Sequence, residues 1–159
     1  MNYWLIKSEP DAFSIDDLKN ASGKKSHWDG VRNYQARNYM RDGMRKGDGV
    51  LFYHSNCETP GIVGIVEVAS GAYPDHTAFD PRDHHFDPGS DPENPRWVMV
   101  DMRFKRNTRR LISLAELKQY GRQLDGFALI RKGNRLSVMP LSKKQWDFIL
   151  ALEGTRHER

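Results

Sequence analysis

The chain concentrates its chemically versatile residues between His27 and Asn38. Trp28 offers a large flat ring beside the carboxylate of Asp29. Asp29-Gly30 is a turn signal, because glycine reaches the φ > 0 geometry that a reversal often needs. Arg32, Asn33, Arg37 and Asn38 then set cations and amides around one short segment. An aromatic plate, a hydrogen-bonding turn and nearby guanidinium groups suit a nucleobase with its phosphate. The same residues also fit a plainer account, in which Trp28 and Tyr34 are core and the arginines form a solvated helix face.

Other constellations carry less. His76, Asp80, Asp83, His84, His85 and Asp87 are all ligand types, yet no pair of them matches a strong spacing such as HExxH or CxxC. Prolines and aspartates together make good turns, so this stretch is expected to hold no metal. Cys57 lies three residues after His54, but nothing in the sequence supplies the orienting base that a thiolate nucleophile needs. No GxxxxGK[ST], GxGxxG or GxSxG motif is present, so nucleotide hydrolysis, dinucleotide binding and α/β-hydrolase chemistry have no support. Of the four tryptophans, Trp4 lies mid-strand and Trp146 in a helix staple, and both read as core. Trp28 follows a polar loop and is the best pocket-lining or exposed aromatic. Trp97, at a strand start, is the second.

The elements that must position these residues follow from pattern. Tyr3–Ile6 is a short apolar strand, and Pro10 biases Glu9 toward extended backbone, so Ser8 and Glu9 fall at a strand exit. Three helix starts share one grammar, at Ser14, Ser113 and Ser142. In each, the serine can cap the third helical amide and the side chain there can reach back. The helices are expected at Ser14–Asn20, Ser113–Tyr120 and Ser142–Leu152, with a fourth from Asn33 to about Asp42. Residues 20–26 read as loop. Val50–His54 and Ile62–Ala69 are strands that pair naturally, and Gly64 suggests a bulge or a close backbone approach. Residues 74–95, rich in proline and aspartate, read as a long irregular surface loop. Arg96–Phe104 alternates as a strand, Asn107-Thr108 is read as a turn in a basic run, and Leu129-Ile130 and Leu136–Met139 as two short strands.

The 159 residues are 38% hydrophobic and 29% charged, which suits one domain with a core. The net charge of +4 and pI near 9.2 permit a polyanionic partner without demanding one. No apolar run is long enough to span a membrane. Met1–Lys7 lacks the pattern of a secretory signal. A single cysteine fits a reducing compartment, so the expected location is the cytoplasm, or the nucleus in a eukaryote.

Four stretches together resemble the EVE domain: Lys7-Ser8-Glu9-Pro10, Trp28 through Asn38, Phe52-Tyr53-His54-Ser55 and Leu136 through Pro140. Tyr73-Pro74-Asp75 and Arg96 through Asp101 fit as well. The resemblance covers residues 1–153, leaving 154–159 as a polar tail. It implies an α+β, PUA-like fold: a small, curved, mostly antiparallel, barrel-like sheet with flanking helices. That agrees with the strand reading. It further implies kinship with YTH readers of methylated adenine, and a non-enzymatic role in reading modified bases, above all modified cytosine, in DNA or RNA. The implied base pocket comprises Ser8, Glu9, Trp28, Asp29, Asn33, His54 and Ser55, to which the residue reading adds Trp97. Trp28 would stack on a flipped base, Asp29 would accept from an exocyclic amine, and Asn33 or Ser8 would donate. Arg32, Arg37 and Arg41 would hold phosphates. No catalytic residue, cofactor or metal is expected, nor a membrane, and the chain is expected to be a monomer. Two other readings stay open: a hydrolase acting on modified nucleotides or using the His/Asp loop with a metal, and a protein-interaction module with a vestigial pocket.

Overall fold

The apolar runs become β1 (Tyr3–Ser8), β3 (Gly49–His54), β4 (Gly61–Val68) and β7 (Val138–Leu141) in a computed structural model that describes residues 1–154. Three further strands are β2 (Lys25–Trp28), β5 (Tyr73–Pro74) and β6 (Val98–Ser113). All seven join one sheet in the order β2-β6-β4-β3-β1-β7, with β5 pairing separately to β6. β1 and β3 run parallel, and every other pairing is antiparallel. The sheet is therefore open and mixed, flanked by α1 (Ile15–Lys19), α2 (Tyr34–Asn38), α3 (Leu114–Lys118) and α4 (Lys143–Leu152).

Both faces of the central strands are covered. Trp4, Ile6, Val50, Phe52 and Val66 join Trp28, Met40, Val100 and Met102 in one apolar cluster. Leu5, Leu51, Tyr53 and Ile65 join Leu117, Trp146 and Ile149 in the other. Burial on two faces is why β1 and β3 read as nearly continuous apolar runs instead of alternating ones. Among the described residues, no helix is long and apolar enough to cross a membrane.

Several elements differ from the sequence expectation. Lys25 and Ser26, expected in the loop of residues 20–26, instead open the strand Lys25–Trp28. Only Trp28 in it is buried, so no periodicity marks it, and its pairing to β6 makes it a strand. Asn107-Thr108 does not turn the chain. β6 runs on for 16 residues, and bulges opposite Ile62/Gly64 and Ile65/Val66 absorb the register changes. Gly64 allows this approach, because a Cβ there would lie 2.7 Å from Ile15 Cδ1. The arginines expected in a turn are instead held on the strand: Arg106 contacts Glu153 at 2.6 Å and Arg110 contacts Glu116 at 2.7 Å. Leu129-Ile130 lies in a single 3-10 turn, not a strand. The helix begun by Asn33 continues past α2 into one π turn, Tyr39–Gly43. Ser14 and Ser142 form reciprocal capping boxes with Asp17 and Gln145. Ser113 caps the Glu116 amide without reciprocation, because the Glu116 carboxylate faces Arg110. Of the expected tail 154–159, residues 155–159 lie outside the described residues.

Candidate functional site

The parallel strands β1 and β3 end side by side at Ser8 and His54. Beyond them, the loop after β1, the end of β2 and residues 83–85 enclose a cleft of about 650 Å³. Four residues expected in the pocket line it: Ser8, Glu9, Trp28 and Asp29. Ser8 Oγ donates to the Phe13 carbonyl, so it offers the cleft lone pairs instead of the expected donor. Glu9 Oε1 accepts from Asn56 Nδ2 at 2.7 Å. Trp28 is only 9% exposed, with Phe13 and Phe52 packed at steep angles to its ring. It is a wall of the cleft and not a free plate. The Asp29 carboxylate is half-buried, 3.6 Å from His27 Nε2.

The turn after Asp29 is fastened to the long loop. Gly30, at φ +76°, donates its N–H to Asp75 Oδ2 at 2.8 Å. A Cβ at Gly30 would lie 2.6 Å from His85 Nε2, so both the backbone angle and the packing require glycine. Asp75 is fully buried and also accepts from Arg32, at 3.0 Å, and from the Thr77 amide and hydroxyl. Burial alone would push its carboxyl up. The bonds from Thr77, Gly30 and Arg32 together outweigh burial and hold it below the usual carboxylate range.

The remaining expected residues are placed elsewhere. Asn33 caps α2, accepting from the Ala36 amide. His54 Nε2 accepts from the Ile15 N–H at the start of α1. Ser55 donates its N–H to the Ser8 carbonyl. None of these lines the cleft, and neither does Trp97, which is 5% exposed. Trp97 stacks on Tyr34 with centroids 4.9 Å apart, and its indole N–H reaches Asp87. That N–H, followed by the Gly89 amide, holds the Asp87 carboxyl below its ordinary value.

Of the expected phosphate-binding arginines, Arg32 and Arg37 have internal partners and Arg41 has an exposed one. Arg32 donates to Asp75, Thr77, Val31 and twice to the His85 carbonyl, which leaves its fork little to offer a ligand. Arg37 lies over the Tyr34 ring and donates to Asn38 and the Arg96 carbonyl. Arg41 pairs with Asp42. The expectations for Arg32 and Arg37 rested on charge and proximity in sequence, which do not reveal an internal acceptor.

Residues that the sequence reading left out of the site now enter it. Ser26, His27, His84 and His85 line the cleft, as does Lys7. The Asp-rich pattern of residues 74–95 signalled turns, but not where those turns would deliver the histidines. On its other side, Lys7 borders a second cleft of about 340 Å³ that holds Lys118, Arg131 and Lys132 and no carboxylate. Burial lowers the pKa of the Lys7 ammonium, which sits 5.9 Å over the Tyr53 ring.

The EVE domain model matches residues 2–152 of the chain. Thymocyte nuclear protein 1 of Mus musculus is 47% identical over 170 residues, spanning 97% of this chain and 74% of the relative. A solved Pseudomonas syringae protein is 50% identical with a TM-score of 0.90, covering 95% of this chain and 99% of that one. Human THYN1 protein, solved in complex with 5-methylcytosine-containing DNA, is 43% identical with a TM-score of 0.95, covering 99% of this chain and all of that one. At 14% identity and a TM-score of 0.56, the YTH domain of Zygosaccharomyces rouxii MRB1 shares the fold, over 99% of this chain and 87% of its own.

Proposed function

Because this chain belongs to the EVE-domain family, we propose that it is a non-enzymatic reader of nucleic acid that seats a modified cytosine of DNA in the cleft beside Trp28. The observation that carries the reading is its likeness, over nearly the whole chain, to human THYN1 protein solved with 5-methylcytosine-containing DNA. The chemistry of the cleft supports it. Its volume lies in the range of pockets that enclose small ligands, about 300–1,000 Å³. A base must leave its stack before its edge can be read, at a cost of a few kcal/mol. Trp28, Phe13 and Val31 present apolar surface to a ring and its methyl group, which offsets part of that cost. Asp29 accepts from the exocyclic amine of cytosine, and Ser8 adds lone pairs. With Arg32 and Arg37 held internally and Arg41 paired to Asp42 at the surface, the strand's phosphates run instead past Lys7 toward Lys118, Arg131 and Lys132.

Fluorescence anisotropy tests this with labelled oligonucleotides that differ only in the methyl group of one cytosine. The methylated strand binds more tightly. Asp29→Asn, which replaces one acceptor oxygen with a donor amide, changes the preference among bases more than the overall affinity. Trp28→Ala weakens binding about tenfold or more, equivalent to about 1.4 kcal/mol, and is read beside its melting temperature. Equal affinity for methylated and unmethylated strands would falsify the proposal.

A further inference from the structure

We propose that Asp83, His84 and His85 form a divalent transition-metal site at the mouth of the cleft. One ligand atom from each lies within 4.8 Å of the other two. Asp83 Oδ1 is 3.3 Å from His85 Nδ1 and 3.8 Å from His84 Nδ1. Two ligands on a tetrahedral zinc, each at about 2.1 Å, stand about 3.4 Å apart. Of the three pairs, Asp83–His85 already has the required spacing, Asp83–His84 must close by a few tenths of an ångström, and His84–His85 stands within 4.8 Å. Nδ1 of both rings faces the same carboxylate oxygen, Asp83 Oδ1, and the two ring centroids lie 3.8 Å apart, so the exposed His84 ring must swing outward to share a metal with His85. His84 is largely solvent-exposed, and its polar partner among the described residues is Asp83.

Two of the three ligands are fixed before any metal arrives. Asp83 Oδ1 accepts the His85 N–H at 2.8 Å. The His85 ring is wedged against Gly30 and its carbonyl is gripped by Arg32. His84 is left free to swing into place. Two imidazoles and a carboxylate suit zinc or nickel and not magnesium or calcium, which prefer all-oxygen shells. Three protein ligands leave at least one coordination position for water or an anion. The dication would also offset the negative charge of the cleft, which Glu9, Asp29 and Asp83 line. That last consequence rests on the reader proposal; the metal site does not. Sequence spacing concealed the site because three consecutive ligands converge only once the turn at 83–85 is known.

Isothermal titration of the untagged, metal-stripped full chain with zinc, nickel or magnesium chloride decides the matter. Zinc and nickel should bind one to one at micromolar concentration, near −8 kcal/mol, and magnesium should give no binding signal. His84→Ala, at an exposed position, and Asp83→Asn should each weaken zinc at least tenfold without moving the melting temperature. Zinc binding absent up to about 1 mM, or unchanged in His84→Ala, overturns the proposal. No nucleic acid is present in this titration, so its failure leaves the anisotropy test of the reader proposal untouched, and the reverse also holds.

Discussion

Arg32 shows how one side chain exchanges a surface role for an internal one. Its guanidinium neutralises the buried Asp75 and at the same time grips the His85 carbonyl. Arg32→Ala leaves that carboxylate without its cation. It should lower unfolding free energy by about 3–5 kcal/mol in urea titration at pH 7. Affinity for unmodified strands should fall only as far as the cleft loses shape. A sequence reading sees an arginine five residues from another and assigns both to phosphate; the acceptor, Asp75, is too far along the chain to suggest itself. His54 also differs from its expected role. Burial lowers its pKa, against a smaller opposite pull from Asp16, and the neutral Nε2 accepts the first amide of α1. An unfolded histidine titrates near 6.5. The stabilisation is complete above that pH and is lost as the pH falls from there through the lower folded value. Between pH 7.5 and pH 5, the native chain should lose about 1 kcal/mol more stability than His54→Gln, the value of one helix cap.

At the scale of elements, legibility followed local signals. The capping boxes at Ser14 and Ser142 are contained in four residues each and are visible in the sequence. Ser142→Ala should cost about 1 kcal/mol in thermal or chemical unfolding. Ser113→Ala should cost less than Ser142→Ala, because Glu116 does not reciprocate and α3 is held through Arg110. What could not be read depends on partners distant in sequence. β2 has no apolar alternation and exists by pairing to β6. The second half of β6 looks like a basic turn until Glu116 and Glu153 are placed beside it. The cleft was half legible for the same reason. The motif residues at the ends of β1 and β2 belong to it, whereas the histidines from the long loop arrive through tertiary contacts alone.

Across the whole molecule, the gross count of 25 lysines and arginines overstates what a polyanion meets, since several arginines already face carboxylates. The cations proposed to hold phosphates are those that line the neighbouring cleft: Lys7, Lys118, Arg131 and Lys132. Affinity for an oligonucleotide should therefore fall with salt along a log–log slope no steeper than about −4. Lys132→Gln should reduce that slope by about 1, and Arg32→Ala should leave it unchanged. Anisotropy titrations across a salt series measure both. The placement of β1 has a further consequence. Its neighbours are β3 and β7, and Lys7 donates its amide to the Ser137 carbonyl. During synthesis β1 emerges well before β7, the strand that closes its second edge. Half a wall of the cleft thus waits, unpaired on that side, while residues 9–137 are made. A nascent chain stopped before Val138 carries the whole Trp28–Asn38 stretch and an unfinished cleft.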